Sequence, residues 1–217
     1  LLLTLFFLIT SFGLIAVASS SAPLADLYSS NPLLFFIKQL IHLIIGVLIL
    51  FSFLFIPCSN WKRYDRILLF LGIFLLILVL VPEIATEVNG ASRWIRLGSF
   101  SIQPSEIMKF ISIIYISGYS VRRMNELQNQ FSGFLKPAIL IVLVSILILL
   151  QPDLGSSAVI FLTVLGILFI AGVPMIQFIL IILIGLLAIF TLIYFVPWRW
   201  ERVISFMDPF GDQFDSG

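Results

Sequence analysis

The residues able to do chemistry sit where a hydrophobic chain should avoid them. In 103-QPSEIMKF-110 a glutamine, a carboxylate and an ammonium stand at the head of an apolar run, and Arg93 lies just upstream in 89-NGASRWIRLGSF-100. Pro104 belongs at the first helical position, with Gln103 as N-cap and Glu106 in the first turn, where a carboxylate meets free N–H groups and the positive end of the helix dipole. Lys109, three residues on, shares its face and can pair with it. Capping accounts for Glu106 but not for Lys109, since a cation inside a membrane costs about 2.5–3.5 kcal/mol on insertion scales. Such a group normally faces a polar cavity.

A second polar interruption follows the same logic. In 151-QPDLGSSAVIFL-162 a proline break separates two apolar runs with no room for a loop. Asp153 can N-cap the following helix, and Gly155, Ser156 and Ser157 would let another helix pack closely against it. Gln151 and Asp153 emerge on the same membrane side as Gln103 and Glu106, so the two breaks can share one outward-open cavity.

These groups must be positioned by helices. The chain has 217 residues, is 61% hydrophobic and only 11% charged, a composition that implies an integral membrane protein. Seven segments are apolar and long enough to span, at about 1–22, 37–57, 67–82, 104–121, 135–150, 154–173 and 176–196; the third is short and must borrow Arg66 and Pro82 or thin the bilayer. The run 67-ILLFLGIFLLILVLV-81 is apolar on every face, which excludes an alternating barrel strand. The expected fold is all-α, a polytopic transmembrane helical bundle forming a single membrane domain over 1–217. A net charge of +1 gives no reason to expect a nucleic acid partner. The single cysteine, Cys58, has no disulfide partner, and His42, alone in an apolar run, is better suited to helix–helix hydrogen bonding than to metal. No Walker loop, zinc-protease helix or Rossmann fingerprint is present.

Lysine and arginine mark the cytoplasmic side. Lys62, Arg63 and Arg66 in the loop 58–66, and Arg122, Arg123 and Lys136 in 121–136, fall on one side if the helices alternate, which leaves the polar loops at 23–36 and 83–103 on the other. Arg93, Arg96, Arg199 and Arg202 then face outward, against the bias. They suit either an anionic group at the outer leaflet or pairing with Glu83, Glu87 and Glu201.

Three stretches in order, 89-NGASRWIRLGSFSIQPSEIMKF-110, 151-QPDLGSSAVIFLTVLGILFIAGVP-174 and 202-RVISFMDPFGDQFDSG-217, carry a resemblance to the SEDS proteins (shape, elongation, division and sporulation) over essentially the whole chain. The details 119-YSVRR-123 and 132-SGFLKP-137 resemble the division branch more than the elongation branch. The resemblance implies a ten-helix protein of the bacterial plasma membrane, at the division septum, of which this chain supplies the first seven helices. It implies polymerisation of lipid II, the undecaprenyl-diphosphate-linked precursor, into glycan strands. It also implies partnership with a class B penicillin-binding protein and other division membrane proteins, and help from a divalent cation such as Mg or Mn.

In that reaction a sugar hydroxyl needs a general base and the departing diphosphate needs cationic stabilisation. By the resemblance, Arg93, Gln103, Glu106, Lys109 and Asp153 line the substrate cavity. Lys109 and Arg93 would meet the diphosphate, and Glu106 and Asp153 would orient them or hold a cation. The sequence opens at Leu1 inside an apolar run and stops in a polar tail, so it reads as cut at both ends; by the resemblance the family's catalytic aspartate, in a His-Thr-Asp-Phe motif, is expected beyond Gly217, and the chain is not expected to polymerise by itself. Asp208, Asp212 and Asp215 are expected to shape turns beside Pro209 and Gly211. A lipid II flippase and a noncatalytic division scaffold are the alternatives. Polymerisation is favoured because the polar groups cluster at the outer helix ends, while 138-AILIVLVSILILL-150 offers only Ser145.

Overall fold

The structure, a computed structural model, describes residues 1–28, 33–88, 91–98 and 100–194. Along the chain run α1 (Leu2–Tyr28), α2 (Leu34–Leu54), α3 (Cys58–Leu78), β1 (Ala85–Val88), β2 (Ala91–Leu97), β3 (Phe100–Ile102), α4 (Pro104–Arg122), α5 (Met124–Asn129), α6 (Phe131–Leu149), α7 (Leu154–Ile170) and α8 (Met175–Tyr194). Each of the seven expected apolar segments becomes one long helix. Backbone polar groups without water must bond within their own segment, and a helix does that completely. By length and composition alone α1, α2 and α6 are able to cross a membrane; α3 and α4 carry charges, and α7 has 17 residues, about 25 Å.

The chain divides into two compact units, Leu1–Asn60 and Trp61–Gly217. In the first, α1 packs against α2. Several of its polar side chains turn back on their own helices. Thr10 Oγ1 donates to the Phe6 carbonyl at 2.8 Å, and Ser52 Oγ to that of Leu48 at 2.8 Å. His42 Nδ1 lies 2.7 Å from the Lys38 carbonyl. That contact lies within α2, to the carbonyl four residues back.

In the second unit α4 packs on α7, α7 on α6, and α8 touches both α6 and α7. Leu76, Met108, Ile116, Ile148 and Leu168 are fully enclosed in this core. Three features depart from the simplest reading. The basic stretch 58–66 is the start of α3 rather than a loop, so the short apolar run is lengthened on its N-terminal side through Arg66, while the helix ends at Leu78, before Pro82. The reason is Asp65, which is 2% exposed and accepts from Arg122 Nη1 at the end of α4 at 2.5 Å; that pair holds the polar turns in helical register. Residues 124–129 add the short α5, held on α6.

The third departure is a small antiparallel sheet between α3 and α4, with strand order β1-β2-β3. Ala85 pairs with Ile95 and Ile95 with Ile102, and β1 carries an irregularity between Thr86 and Glu87. Gly98, at φ +63°, supplies the left-handed turn that lets β2 fold back onto β3. The sheet was not anticipated because the stretch was read only as a polar loop. It presents β2 to α4.

Tyr119 on α4 donates its hydroxyl to the Gly133 carbonyl at 2.8 Å. A Cβ at Gly133 would stand 2.4 Å from the carbonyl carbon and oxygen of Glu126, which are backbone and cannot swing aside. Gly133→Ala should therefore destabilise the unit by about 1–3 kcal/mol through overpacking, read as a lower melting temperature in detergent. Gly46→Ala, where nothing lies within 4 Å, should leave it unchanged or slightly higher.

Candidate functional site

At the head of α4, Pro104 occupies the first helical turn and Gln103 is the N-cap, with extended backbone at φ −102°, ψ 113°. The Gln103 side chain does not cap α4. It reaches across to the start of α7, where Nε2 donates to Asp153 Oδ2 at 2.7 Å, and it lies 2.9 Å from Ser105 Oγ. Ser105 Oγ donates to the same Asp153 oxygen at 3.0 Å and stands 3.4 Å from Ser156 Oγ. Asp153 is the N-cap of α7, its Oδ1 accepting from the Ser156 backbone N–H at 3.1 Å. One carboxylate thus finishes a helix and joins it to α4.

Asp153 sits in the break between α6 and α7 and is 6% exposed. Burial pushes its carboxyl up. The Ser156 hydroxyl and backbone N–H, the Ser105 hydroxyl and the Arg93 charge pull it down, and together they win, holding it below the ordinary value of 3.8. The donors favour the charged form more than desolvation opposes it.

Gln151, 1% exposed, donates Nε2 to the Leu76 carbonyl at 3.0 Å and so ties the same break to the end of α3. Its Oε1 is buried without a hydrogen-bond partner among the described residues, and so is Arg93 Nε on β2. Arg93 is half-buried, and its positive charge acts on Asp153. Neither Arg93 nor Arg96 is in an ion pair among the described residues. Arg199, Glu201, Arg202, Asp208, Asp212 and Asp215 lie outside them.

Glu106 and Lys109 form the expected pair, Lys109 Nζ donating to Glu106 Oε1 at 2.7 Å. Glu106 is half exposed and Lys109 about a quarter. Of the five predicted site residues, then, Gln103 and Asp153 bond directly, Arg93 joins them through its field, and Glu106 and Lys109 make a separate pair in the next turns of α4. No three His, Cys, Asp or Glu gather among the described residues.

Ser105 and Ser156 belong to the cluster, and sequence reasoning missed their role. Ser156 was read only as a small residue for helix packing, and Ser105 was passed over. The available signal was spacing: Ser105, Met108, Ile111, Ser112 and Ile116 form the buried stripe of α4. A hydroxyl at the head of such a stripe must find a partner on the facing helix.

The comparisons with known proteins agree with this architecture. The family model described as "Cell cycle protein", covering FtsW, RodA and SpoVE, matches residues 1–217. The probable peptidoglycan glycosyltransferase FtsW of Saccharophagus degradans is 42% identical over 210 residues, 97% of this chain and 54% of its own length. That of Wigglesworthia glossinidia brevipalpis is 42% identical over 216 residues, 98% of this chain and 56% of its own. The chain thus spans about half the length of these curated relatives. Among solved structures, a chain of a peptidoglycan synthase complex that coordinates polymerization and crosslinking superposes with a TM-score of 0.69 at 27% identity, covering 94% of this chain and 60% of that one. The rod shape determining protein RodA of Thermus thermophilus gives 0.61 at 27% identity, with coverages of 83% and 58%. A family match along the whole chain, joined to seven long helices and a polar junction at the head of α4, places this chain in the FtsW/RodA/SpoVE family of membrane proteins.

Proposed function

We propose that this chain is part of a peptidoglycan glycosyltransferase that polymerises lipid II into glycan strands during septal wall synthesis. The observation that carries the reading is the Gln103–Ser105–Asp153–Ser156 cluster, with the Arg93 charge upon it, at one end of the α4–α7 pair. An ionised, fully bonded carboxylate that holds two helix heads together makes a rigid floor. Arg93, with one buried donor unused, and Lys109, a turn further along α4, are cations suited to the two phosphates of a lipid diphosphate. The names of the relatives support the same activity.

On this reading Asp153 is a positioning residue rather than the base. Both its oxygens already accept hydrogen bonds, and the residue that deprotonates the sugar hydroxyl is expected elsewhere in the longer protein. The same saturation bears on a divalent cation: no three His, Cys, Asp or Glu gather among the described residues, so Mg or Mn would rely on one or two carboxylates, with Glu106 the accessible one, together with the phosphate oxygens of the substrate. A class B penicillin-binding protein as partner is supported by the neighbouring synthase complex, which couples polymerization to crosslinking. The septal location rests on the likeness to FtsW proteins.

Three results are expected of the full-length enzyme. With purified lipid II, Lys109→Ala should reduce strand synthesis at least about 100-fold, the loss of one charge-assisted contact made in the transition state. Co-purification with the penicillin-binding partner should be unchanged; undiminished synthesis would remove Lys109 from the site. Asp153→Asn keeps size but loses charge, and should lower synthesis about tenfold or more, with partner binding retained. The third result concerns acid. A carboxyl held below its ordinary value stabilises the fold fully above that value and loses the contribution as pH falls through the depressed one. The melting temperature of the parent should therefore fall more steeply below about pH 4 than that of Asp153→Asn. Parallel curves would contradict the role given to the Ser105 and Ser156 donors.

A further inference from the structure

The first turns of α3 have no part in the site described above, yet their side chains are sorted by charge. Asp65, Leu69, Gly72 and Leu76 are buried and recur at helical spacing, which makes one inward stripe. Lys62, Arg63 and Arg66 are exposed. At about 100° per residue they occupy one arc of roughly 100° next to that stripe. Asp65, the acid that could neutralise them, is drawn inward and held by Arg122. None of the three cations is in an ion pair among the described residues.

Depth along the helix matters as much as sign. The apolar part of α3 begins at Ile67, so Lys62 stands about 7.5 Å along the axis from it and Arg66 about 1.5 Å. All three charges thus lie within roughly one Debye length, about 8 Å, of the start of the hydrocarbon-facing run. Two aromatic residues share this level: Tyr64, 48% exposed, with the Arg63 guanidinium 5.7 Å from its ring centre, and Trp61, edge-on to Phe110 at 5.3 Å. Aromatic rings beside cations at the end of an apolar helix are the pattern of the membrane–water interface.

We propose that residues 61–66 form a binding surface for anionic phospholipid headgroups of the cytoplasmic leaflet. The phosphodiester meets Lys62, Arg63 and Arg66, while Trp61 and Tyr64 sit at the glycerol level. Sequestration of Asp65 by Arg122 keeps the surface uniformly positive. An acidic protein segment would suit the charge, but it would not require the cations to crowd against the apolar run or the aromatics to accompany them.

The test compares the purified full-length protein in detergent with added short-chain phosphatidylglycerol or phosphatidylcholine. Melting temperature and native mass spectrometry report bound lipid. The parent should be stabilised by phosphatidylglycerol and retain it at least tenfold better than phosphatidylcholine, with the preference reduced by high salt. The triple variant Lys62→Gln/Arg63→Gln/Arg66→Gln should lose the preference, with its lipid-free melting temperature near that of the parent. Because that variant could fold poorly, Lys62→Arg/Arg66→Lys, which keeps the charge, should retain the preference. Equal retention of both lipids by the parent would overturn the proposal. So would an undiminished preference in the triple variant, or loss of the preference in the charge-conserving one.

Discussion

Between α6 and α7 the chain reverses in four residues, 150–153, and everything at that end of the second unit follows from how the reversal is satisfied. A break of this kind frees backbone N–H and C=O groups where water is scarce, and each group left unpaired is costly. Asp153 takes the free N–H of Ser156, and Gln151 spends its amide on the carbonyl of Leu76 at the end of α3. The second oxygen of Asp153 then draws in Gln103 and Ser105 from the head of α4. A local capping problem is thereby converted into a joint among three helix ends. That joint needs the carboxylate ionised, because only the anion accepts from all its donors at once.

The opposite end of the unit is closed by different means. Asp65 and Arg122 bind α3 to α4, Tyr119 binds α4 to the start of α6, and Gln128 on α5 donates to the Ala171 carbonyl just after α7 at 3.1 Å. Between the two ends the buried side chains are mostly apolar, with Ser112 on α4 and Ser145 on α6 the hydroxyls among them. Such a distribution gives two stiff polar ends and a hydrocarbon-like middle, which suits a protein that handles a lipid-linked substrate at one membrane face. Glu106 and Lys109 differ from both ends in being accessible. They form an ion pair that a ligand could open without dismantling the joint beneath it.

Much of this was legible in the residues. The apolar runs marked the seven long helices, since no other secondary structure satisfies a backbone surrounded by apolar side chains. Pro104 and Asp153 marked the two helix starts because each is chemically suited to that position. What could not be read was direction. Gln103 looks equally able to cap its own helix or to cross to another, and only the closeness of α4 and α7 decides for Asp153. Stretch 58–66 looked like a loop because its charges are dense; the burial of Asp65 depends on an arginine 57 residues away. The sheet over 85–102 was hidden for a similar reason: its strands are short, and the pairing of Ile95 with Ile102 is a tertiary fact.

In the proposed function, the joint at Gln103 and Asp153 lies beside a site for a lipid diphosphate on the outer face. The most direct measurement is photocrosslinking of a lipid II analogue, with a photoreactive group near its diphosphate, to the full-length protein in liposomes, followed by peptide mapping. Label is expected in β2 and in the first two turns of α4, around Arg93 and Lys109, and none around Asp65 and Arg122. Label confined to the Asp65–Arg122 end, or spread evenly through the depth of α4, would contradict it and favour a translocation path.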